Sequence, residues 1–262
     1  MRLSILLFLI IPTSLLAFEN PKIKINNFYI QKYEVTIAEF SNFANKTNFK
    51  TEAEKQGFGY EYGIGWEKRK NWNYKTPYGK NPDSLTEPAV HISYFEAEQY
   101  CKFINGRLPS FEEWSTAAYT QVLDSKVFEK NKTYPYPSGD RPEKMNSTDL
   151  LAYKKHYDVL KLPEGINGLV AMGGNVWEWT KDRKDNSALT AGSSWWYSSS
   201  NTTKNGAQFK PADFYAIYVG FRCAFEKSPQ LLYISASIHG IFLRRNKDYH
   251  PNYFNRSSVI RR

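Results

Sequence analysis

Hydrophobic and polar residues follow no long regular pattern along this chain, so the elements that the pattern predicts are short. Between residues 22 and 35 apolar side chains recur every two or three positions, which predicts two strands with a turn at Asn26 and Asn27. Residues 215–225 alternate again and predict a further strand. One face of this strand would carry Phe221, Cys223 and Phe225, and the other Arg222 and Ala224.

Three helices are predicted from their first residues. A Ser or Thr followed three positions later by Glu forms a capping box, in which the two residues satisfy each other's backbone N–H groups at the start of a helix. This pattern occurs at Thr36–Glu39, Ser93–Glu96 and Ser110–Glu113. The first helix is expected to run through about Ala44, and the second to turn Cys101 toward the core.

The segments between these elements are rich in turns and aromatic residues. Between residues 57 and 85 six Tyr and Trp side chains fit no helical or strand period. A long loop of this kind in a compact domain is either a binding surface or an irregular core. The sequence leaves both interpretations open.

The composition limits the class of protein. The 262 residues are 41% hydrophobic and 23% charged, which excludes a disordered polymer and a multispan membrane protein and indicates one domain. With 19 Tyr, 17 Phe, 7 Trp, 15 Gly and 13 Pro, a loop-rich aromatic core is expected. The same composition does not favour a helical bundle, a Rossmann fold or a parallel barrel.

Positive charge is concentrated toward the C-terminal end. The formal net charge is +9, but residues 229–262 contain six Arg or Lys residues against one Asp. Residues 18–228 therefore lack the broad basic surface that nucleic-acid binding needs, and nucleic acid is not expected as a partner. We interpret residues 229–262 as a basic, poorly ordered C-terminal tail.

The first 17 residues predict export. Arg2 precedes a short apolar run, Pro12 interrupts it, and small residues lead to Ala17, which is the order of a secretory signal peptide. The alternative, an uncleaved anchor, would need about 20 apolar residues to span a bilayer. We expect a signal peptide at residues 1–17, a periplasmic or secreted protein, and no transmembrane span after cleavage.

The chain contains two cysteines, Cys101 and Cys223. In an exported protein a disulfide between them is the first hypothesis, and two buried free thiols are the alternative. Neither cysteine has the C-x-x-C spacing or the adjacent His that redox chemistry or zinc binding would need.

Several segments together resemble the family of formylglycine-generating enzymes, also called sulfatase-modifying factors. They are residues 33–36 (YEVT), 51–55 (TEAEK), 91–94 (HISY), 106–110 (GRLPS), 113–114 (EW), 174–179 (GNVWEW) and 220–224 (GFRCA). The resemblance implies that residues 18–228 form an irregular, mixed α/β domain with a C-type-lectin-like fold. In that family the cysteine of the helix before GRLP pairs with the one in GFRC, which implies a Cys101–Cys223 disulfide.

The resemblance also implies a reaction for which this chain lacks the ligands. Family enzymes use O2 to oxidise a sulfatase cysteine to formylglycine, with a copper ion held by two cysteines after a Gly-Gly-Ser motif. In the matching stretch, which begins at Ala191, the two positions fall on Trp196 and Asn201. Neither side chain replaces a thiolate, the soft ligand that holds Cu(I). Copper and formylglycine formation are therefore not expected, and whether other catalysis remains stays open.

Calcium is a second metal that the resemblance implies, in a structural role. One family site matches the carbonyls of Gly174 and Val176 and the side chain of Glu178, but a further ligand position falls on Ala171. Another family site begins at a position that matches Asn146. A filled site, a weakened site and no site all remain open.

The segment after Gly192 is the candidate binding cleft. Aromatic side chains with neighbouring hydroxyl and amide groups suit a peptide, protein or glycan ligand. The cleft residues are Ser193, Trp195, Trp196, Tyr197 and Asn201. The alternative is that the tryptophans fill the core.

The function that these observations favour is an exported, non-catalytic binding or accessory module. The alternative is a divergent metal-dependent oxidoreductase that uses the same cleft. Some proteins with this fold hold iron, but no H-x-x-H spacing occurs among His91, His156, His239 and His250, and surface or packing roles are expected for all four.

Overall fold

The computed structural model describes residues 19–226 of the chain. The predicted signal peptide, residues 1–17, and the predicted basic tail, residues 229–262, lie outside the described residues, so both stay predictions. Within residues 19–226 no helix is both long enough and apolar enough to cross a membrane.

Four short α-helices in this part of the chain begin at capping boxes. They are α1 (Ile37–Thr47), α2 (Glu52–Gln56), α3 (Tyr94–Phe103) and α4 (Phe111–Tyr119). The three predicted helices are confirmed as α1, α3 and α4, although α1 runs about one turn beyond its expected end. It stops at Asn48, whose left-handed backbone (φ 54°) suits Asn. The sequence analysis missed α2, even though Thr51 and Glu54 form the same box.

Nine short strands form three small sheets within residues 19–226. The first sheet contains β1 (Lys22–Ile25), β2 (Phe28–Gln31) and β9 (Ala224–Phe225), all antiparallel. The second is a hairpin of β3 (Phe58–Tyr62) and β4 (Trp66–Lys70). The third has the order β7 (Gln208–Pro211), β6 (Ser187–Ala191), β5 (Trp177–Lys184) and β8 (Val219–Gly220), and its β5–β8 pair is parallel. The predicted strand pair with its turn at Asn26 and Asn27 is confirmed as β1–β2.

The predicted strand over residues 215–225 is wrong in its extent and in its polar face. Only β8 and β9 are regular, because the segment leaves the third sheet after β8 and joins the first sheet at β9. Side chains on both of its sides are covered, and Arg222 is as fully buried as Phe221 and Cys223. The alternation therefore does not separate a core face from a solvent face.

The main core joins α1, α3, β5 and the segment 215–225, and a second apolar cluster joins α4 to β1 and β2. Cys101 of α3 and Cys223 are fully buried and form a disulfide, with their Cα atoms 5.6 Å apart. The first hypothesis for the cysteines is confirmed, and the alternative of two free thiols is wrong. The domain is mixed α/β with few helical residues, as expected.

Candidate functional site

The two most distinctive sequence motifs meet in a buried ion pair. Arg222 donates from Nε to Glu178 Oε2 (2.7 Å) and from Nη2 to Glu178 Oε1 (2.6 Å), and Trp114 Nε1 donates to the same carboxylate (2.8 Å). Further guanidinium N–H groups donate to the carbonyls of Gln31, Lys32 and Val170. Because both charged side chains are fully buried, this pair ties α4, β5 and β2 to one point in the interior.

Glu34 is a second buried carboxyl group beside this pair. Its Oε2 accepts a hydrogen bond from Asn175 Nδ2 (2.6 Å) and its Oε1 one from the Val176 backbone N–H (3.3 Å). Burial, and then the charge of Glu178, raise the pKa of Glu34 well above its usual range, and Arg222 only partly opposes them. Glu34 therefore keeps its proton far more readily than an exposed glutamate, and Arg222 balances the charge of Glu178.

The first set of predicted calcium ligands does not fit a calcium ion at Glu178. Both carboxylate oxygens already accept N–H groups of Arg222 at hydrogen-bonding distance. A cation there would have to displace a fully buried guanidinium of the same charge sign. Within residues 19–226, moreover, no three His, Cys, Asp or Glu side chains are grouped so that they could hold a metal ion.

Asn146 offers one oxygen that does fit a hard cation. Its Nδ2 donates to the carbonyl of Lys155 (2.9 Å) and to Asn175 Oδ1 (3.0 Å), while its buried Oδ1 has no partner among residues 19–226. Gly174 lies against it, so closely that a Cβ there would be 2.3 Å from the Asn146 carbonyl oxygen. Whether calcium binds at the second family site therefore stays open, and the oxygen of this segment that would suit it is Asn146 Oδ1.

The positions that match the copper cysteines lie at the surface. Trp196 is 41% exposed, and Asn201 is half-buried in a 3₁₀ turn at Ser199–Thr202. Asp149 fixes this turn, because its carboxylate accepts hydrogen bonds from the Ser199 backbone (2.8 Å) and hydroxyl (2.8 Å). Burial raises the pKa of Asp149, but the hydrogen bonds from Ser199 lower it to about 2.

The residues present do not fit a copper ion at these positions. Copper(I) requires soft ligands, and both cysteines of the chain are consumed in the buried disulfide. A tryptophan ring and an amide supply no thiolate. Thiolate-held copper therefore has no ligand set here.

Exposed and half-buried rings, which pack around the buried ring of Tyr218, cover the surface next to Trp196. We call this the aromatic surface, and it consists of Tyr60, Tyr62, Trp66, Trp196, Phe214 and Tyr218. Ring centroids are 4.8 Å apart for Trp66 and Phe214, 5.2 Å for Tyr62 and Trp66, and 5.8 Å for Trp196 and Tyr218. Tyr62 is 40% exposed and Trp66 is 53% exposed, so the hairpin β3–β4 presents parts of both rings to solvent. Part of the aromatic segment 57–85 is thus exposed, whereas Tyr74 of the same segment is buried in the core, and a binding role for the exposed rings stays a prediction.

The five predicted cleft residues differ in exposure. Ser193 and Trp195 are buried, Tyr197 and Asn201 are half-buried, and Trp196 is exposed. Ser193 also has a left-handed backbone (φ 68°), a conformation that non-glycine residues adopt rarely and often at functional sites. Trp195 therefore fills the core, as the alternative had it, whereas Trp196 is exposed and the binding cleft stays a prediction.

Buried polar atoms without partners surround the same segment. Within residues 19–226, no hydrogen-bond partner is present for the Oγ atoms of Ser193 and Ser194 or for the Nε1 atoms of Trp177 and Trp195. Such groups are rare in folded proteins, because each unpaired donor costs free energy.

Sequence reasoning missed Lys210 of β7. Its Nζ lies 4.3 Å from the centre of the Trp177 ring and donates to Gln208 Oε1 (3.2 Å). Burial lowers the pKa of Lys210 to about 8. A single lysine in a polar strand gives no sequence signal of this kind, because its environment depends on residues far away in the chain.

His91 and His156 have packing roles. Both are fully buried, and burial lowers the pKa of His91 to about 4 and that of His156 to about 3. His156 and Asp158 have the H-x-D spacing of some iron sites, but the Asp158 carboxylate accepts hydrogen bonds from Thr86 Oγ1 (2.8 Å) and the Leu160 backbone (3.0 Å). His239 and His250 lie outside the described residues.

Comparison with known proteins identifies relatives of the whole domain. A sequence model of the sulfatase-modifying factor enzyme 1-like domain matches residues 17–227. The formylglycine-generating enzyme of Bos taurus is 31% identical over 192 residues, which cover 62% of this chain and 50% of that protein. The chain thus spans about half the length of this relative.

A relative without the activity is also similar over a longer stretch. The inactive C-alpha-formylglycine-generating enzyme 2 of Mus musculus is 26% identical over 241 residues, which cover 78% of this chain and 76% of that protein. Among solved structures, PvdO from Pseudomonas aeruginosa superposes with a TM-score of 0.55 at 16% identity, over 75% of this chain and 79% of PvdO. That likeness shows the shared fold.

Proposed function

Because this chain belongs to the sulfatase-modifying factor family, we propose that it is an exported, non-catalytic member that binds a peptide, protein or glycan through its aromatic surface. One observation carries the proposal. The two positions that match the copper ligands are Trp196 and Asn201, and the chain's two cysteines form the buried disulfide. Without thiolates at the site, the family's oxidation has no metal to activate O2.

The aromatic surface supplies the binding chemistry. Exposed indole and phenol rings give a large contact area at a low cost in side-chain entropy, and their edges donate hydrogen bonds. The turn at residues 199–202 is held by Asp149, so the neighbouring rings are positioned before a ligand arrives. Export is supported by the signal-peptide pattern of residues 1–17 and is compatible with the disulfide.

The absence of the family reaction can be tested directly. Purified mature protein is incubated with copper, O2 and a cysteine-containing sulfatase peptide, and aldehyde is measured by a hydrazide label and mass spectrometry. We expect no aldehyde above a protein-free control. Clear aldehyde formation that is lost in a variant of Asn201 or Trp196 would overturn the proposal.

The binding role needs a separate test. Arrays of peptides and glycans are probed with wild-type protein, with Trp66→Ala and Trp196→Ala, and with Phe95→Ala as a control. Phe95 is a matched control because it is 42% exposed but belongs to α3, outside the aromatic surface. Binding that both tryptophan variants lose and Phe95→Ala retains is expected.

The alternative is a metal-dependent oxidoreductase that uses the same cleft. Metal analysis of protein purified without chelators distinguishes the two functions. Stoichiometric iron or copper, lost in Trp196→Ala, would favour the enzyme and contradict the binding module.

A further inference from the structure

The hairpin β3–β4 has one edge whose backbone groups have partners and one edge whose groups have none within residues 19–226. In its antiparallel register, Asn71 N–H donates to the carbonyl of Gly57 (2.9 Å) at one end, and Gly63 N–H donates to that of Gly65 (2.9 Å) at the turn. Hydrogen-bonded positions alternate along such a ladder. The odd-numbered residues of both strands therefore bond across the hairpin, and the even-numbered residues point their N–H and C=O groups outward.

The outward groups of β3 are bonded to the segment that follows Phe214. The carbonyl of Tyr60 accepts a hydrogen bond from Ile217 N–H (3.0 Å), and Tyr62 N–H donates to the hydroxyl of Tyr218 (3.2 Å). On β4 the corresponding groups form no hydrogen bond within residues 19–226, and they belong to Trp66, Lys68 and Lys70. An unpaired strand edge of this kind can take up a further strand.

The outer edge of β4 is accessible. Trp66 is 53% exposed, and Lys68 and Lys70 are exposed as well. The open stretch ends at Lys70, because a Cβ at Gly79 would lie only 3.8 Å from its carbonyl oxygen. Backbone pairing is therefore expected at Trp66 and Lys68. A second copy of β4 is a poor partner for this edge, since a symmetric pair centred on Lys68 would place two lysines opposite each other.

The charges on the two faces of the hairpin differ. On one face Arg69 lies between two glutamates of the hairpin, with N–O distances of 2.8 and 2.9 Å. On the other face, no ion pair within residues 19–226 includes Lys68 or Lys70. The ammonium group of Lys68 lies instead over the Phe58 ring, 4.4 Å from its centre. Two lysines beside the unpaired edge thus lack acidic partners, which carboxylates on an added strand would supply.

We propose that β4 binds an extended peptide segment of a partner protein as an added antiparallel strand, with acidic side chains opposite Lys68 and Lys70 and an aromatic side chain opposite Trp66. The inference rests on the proposed binding function and specifies its ligand. A peptide is favoured over a glycan because a peptide backbone supplies, at the spacing of a strand, the donors and acceptors that this edge lacks. Antiparallel pairing is the commoner arrangement of neighbouring strands.

A heptapeptide with the sequence TETETFT, capped at both ends, carries the required side chains. In an antiparallel pair its two Glu residues lie opposite Lys70 and Lys68, and its Phe lies opposite Trp66. NMR titration of the wild type should show binding that the lysine counterpart TKTKTFT lacks. Methylating the backbone N–H groups of Phe and of the Glu nearest to it should weaken binding at least about fivefold, because two hydrogen bonds are lost and each contributes about twofold or more. Methylating the neighbouring Thr N–H groups, which face away from β4, is the control and should leave binding unchanged.

Two substitutions at position 68 separate the charge from the backbone group. Lys68→Thr removes the ammonium group and keeps the N–H, so it should weaken binding by up to about fivefold. Lys68→Pro removes the outward N–H as well and should weaken binding at least about twofold more. Proline is tolerated there because this N–H bonds nothing in the hairpin. Lys50→Thr, at an exposed position outside the hairpin, is the matched control and should leave binding unchanged.

Amide hydrogen exchange of the wild type tests the edge without any substitution. Peptide binding should slow exchange at Trp66 and Lys68, whereas Glu67 and Arg69, whose N–H groups already bond β3, should change little. Unchanged exchange at Trp66 and Lys68, equal binding of the two methylated peptides, or no binding of TETETFT would overturn the inference. The proposed function would still stand if the arrays gave binding that Trp66→Ala and Trp196→Ala lose, and it falls only if that binding is absent or the aldehyde assay is positive.

Discussion

Replacing Arg222 with Met should destabilise the domain severely. The substitution keeps much of the apolar volume but leaves the Glu178 carboxylate charged and fully buried. Of the side chains that now donate hydrogen bonds to this carboxylate, only Trp114, through Nε1, would remain. Removing one partner of a buried ion pair costs about 3–5 kcal/mol. Since about 1 kcal/mol shifts Tm by roughly 2–4 °C in a domain of this size, Tm should fall by roughly 6–20 °C. Urea unfolding and calorimetry measure both quantities.

An exposed pair provides the control for this prediction. Arg69 Nε bonds Glu61 Oε2 at 2.8 Å, but the two side chains are 42% and 24% exposed. Arg69→Met should therefore cost less than about 1 kcal/mol. Adding Glu178→Gln to Arg222→Met removes the stranded charge and should recover part of the loss. If Arg222→Met costs no more than Arg69→Met, or if Glu178→Gln gives no recovery, the buried charge pair does not stabilise the domain as argued.

Three further predictions concern stability. Replacing both Cys101 and Cys223, which lie 122 positions apart, with Ala should cost about 5 kcal/mol in urea unfolding, and a loss below about 2 kcal/mol would contradict the loop-entropy argument. Calcium, against chelator, should raise the Tm of the wild type but not that of Asn146→Ala, and no response in the wild type would contradict calcium binding at Asn146. Between pH 6 and 4 His156 stays neutral in the folded domain but is protonated in the unfolded chain, so the free energy of unfolding falls as the pH falls. His156→Phe should make this fall shallower by up to about 1.4 kcal/mol per pH unit. An unchanged slope would show that His156 is not a buried neutral imidazole.

Local signals in the sequence predicted the parts of the fold that local forces determine. Capping boxes place α1, α3 and α4 because the two bonded residues are three positions apart and need no tertiary contact. The hairpin β3–β4 was not predicted, because β3 has no regular alternation of buried and exposed side chains and β4 is never fully buried. Its rings contact Phe214, which is distant in sequence, so only the folded domain shows the surface.

Where a residue type alone carries the chemistry, the sequence is sufficient for an expectation about the site. Missing cysteines at Trp196 and Asn201 exclude thiolate-held copper without any coordinates. Lys210 could not be found in this way, since its lowered pKa results from burial and its contact with Trp177 joins β7 to β5, two strands that are separated in the sheet by β6. For the same reason the buried ion pair of Arg222 was not predicted, because its hydrogen bonds join four segments that are distant in sequence.

The framework of this domain and its candidate site are made from different residues, so the site residues can differ between family members while the framework is kept. Glu178, Arg222 and the disulfide hold the sheets and helices together in the interior. The segment after Gly192 is positioned instead by backbone hydrogen bonds and by Asp149, so the side chains at 196 and 201 can change without disturbing that interior. The motifs that identify the family therefore belong to the scaffold. The chemistry of any one member depends instead on the few side chains that the scaffold presents beside the aromatic surface.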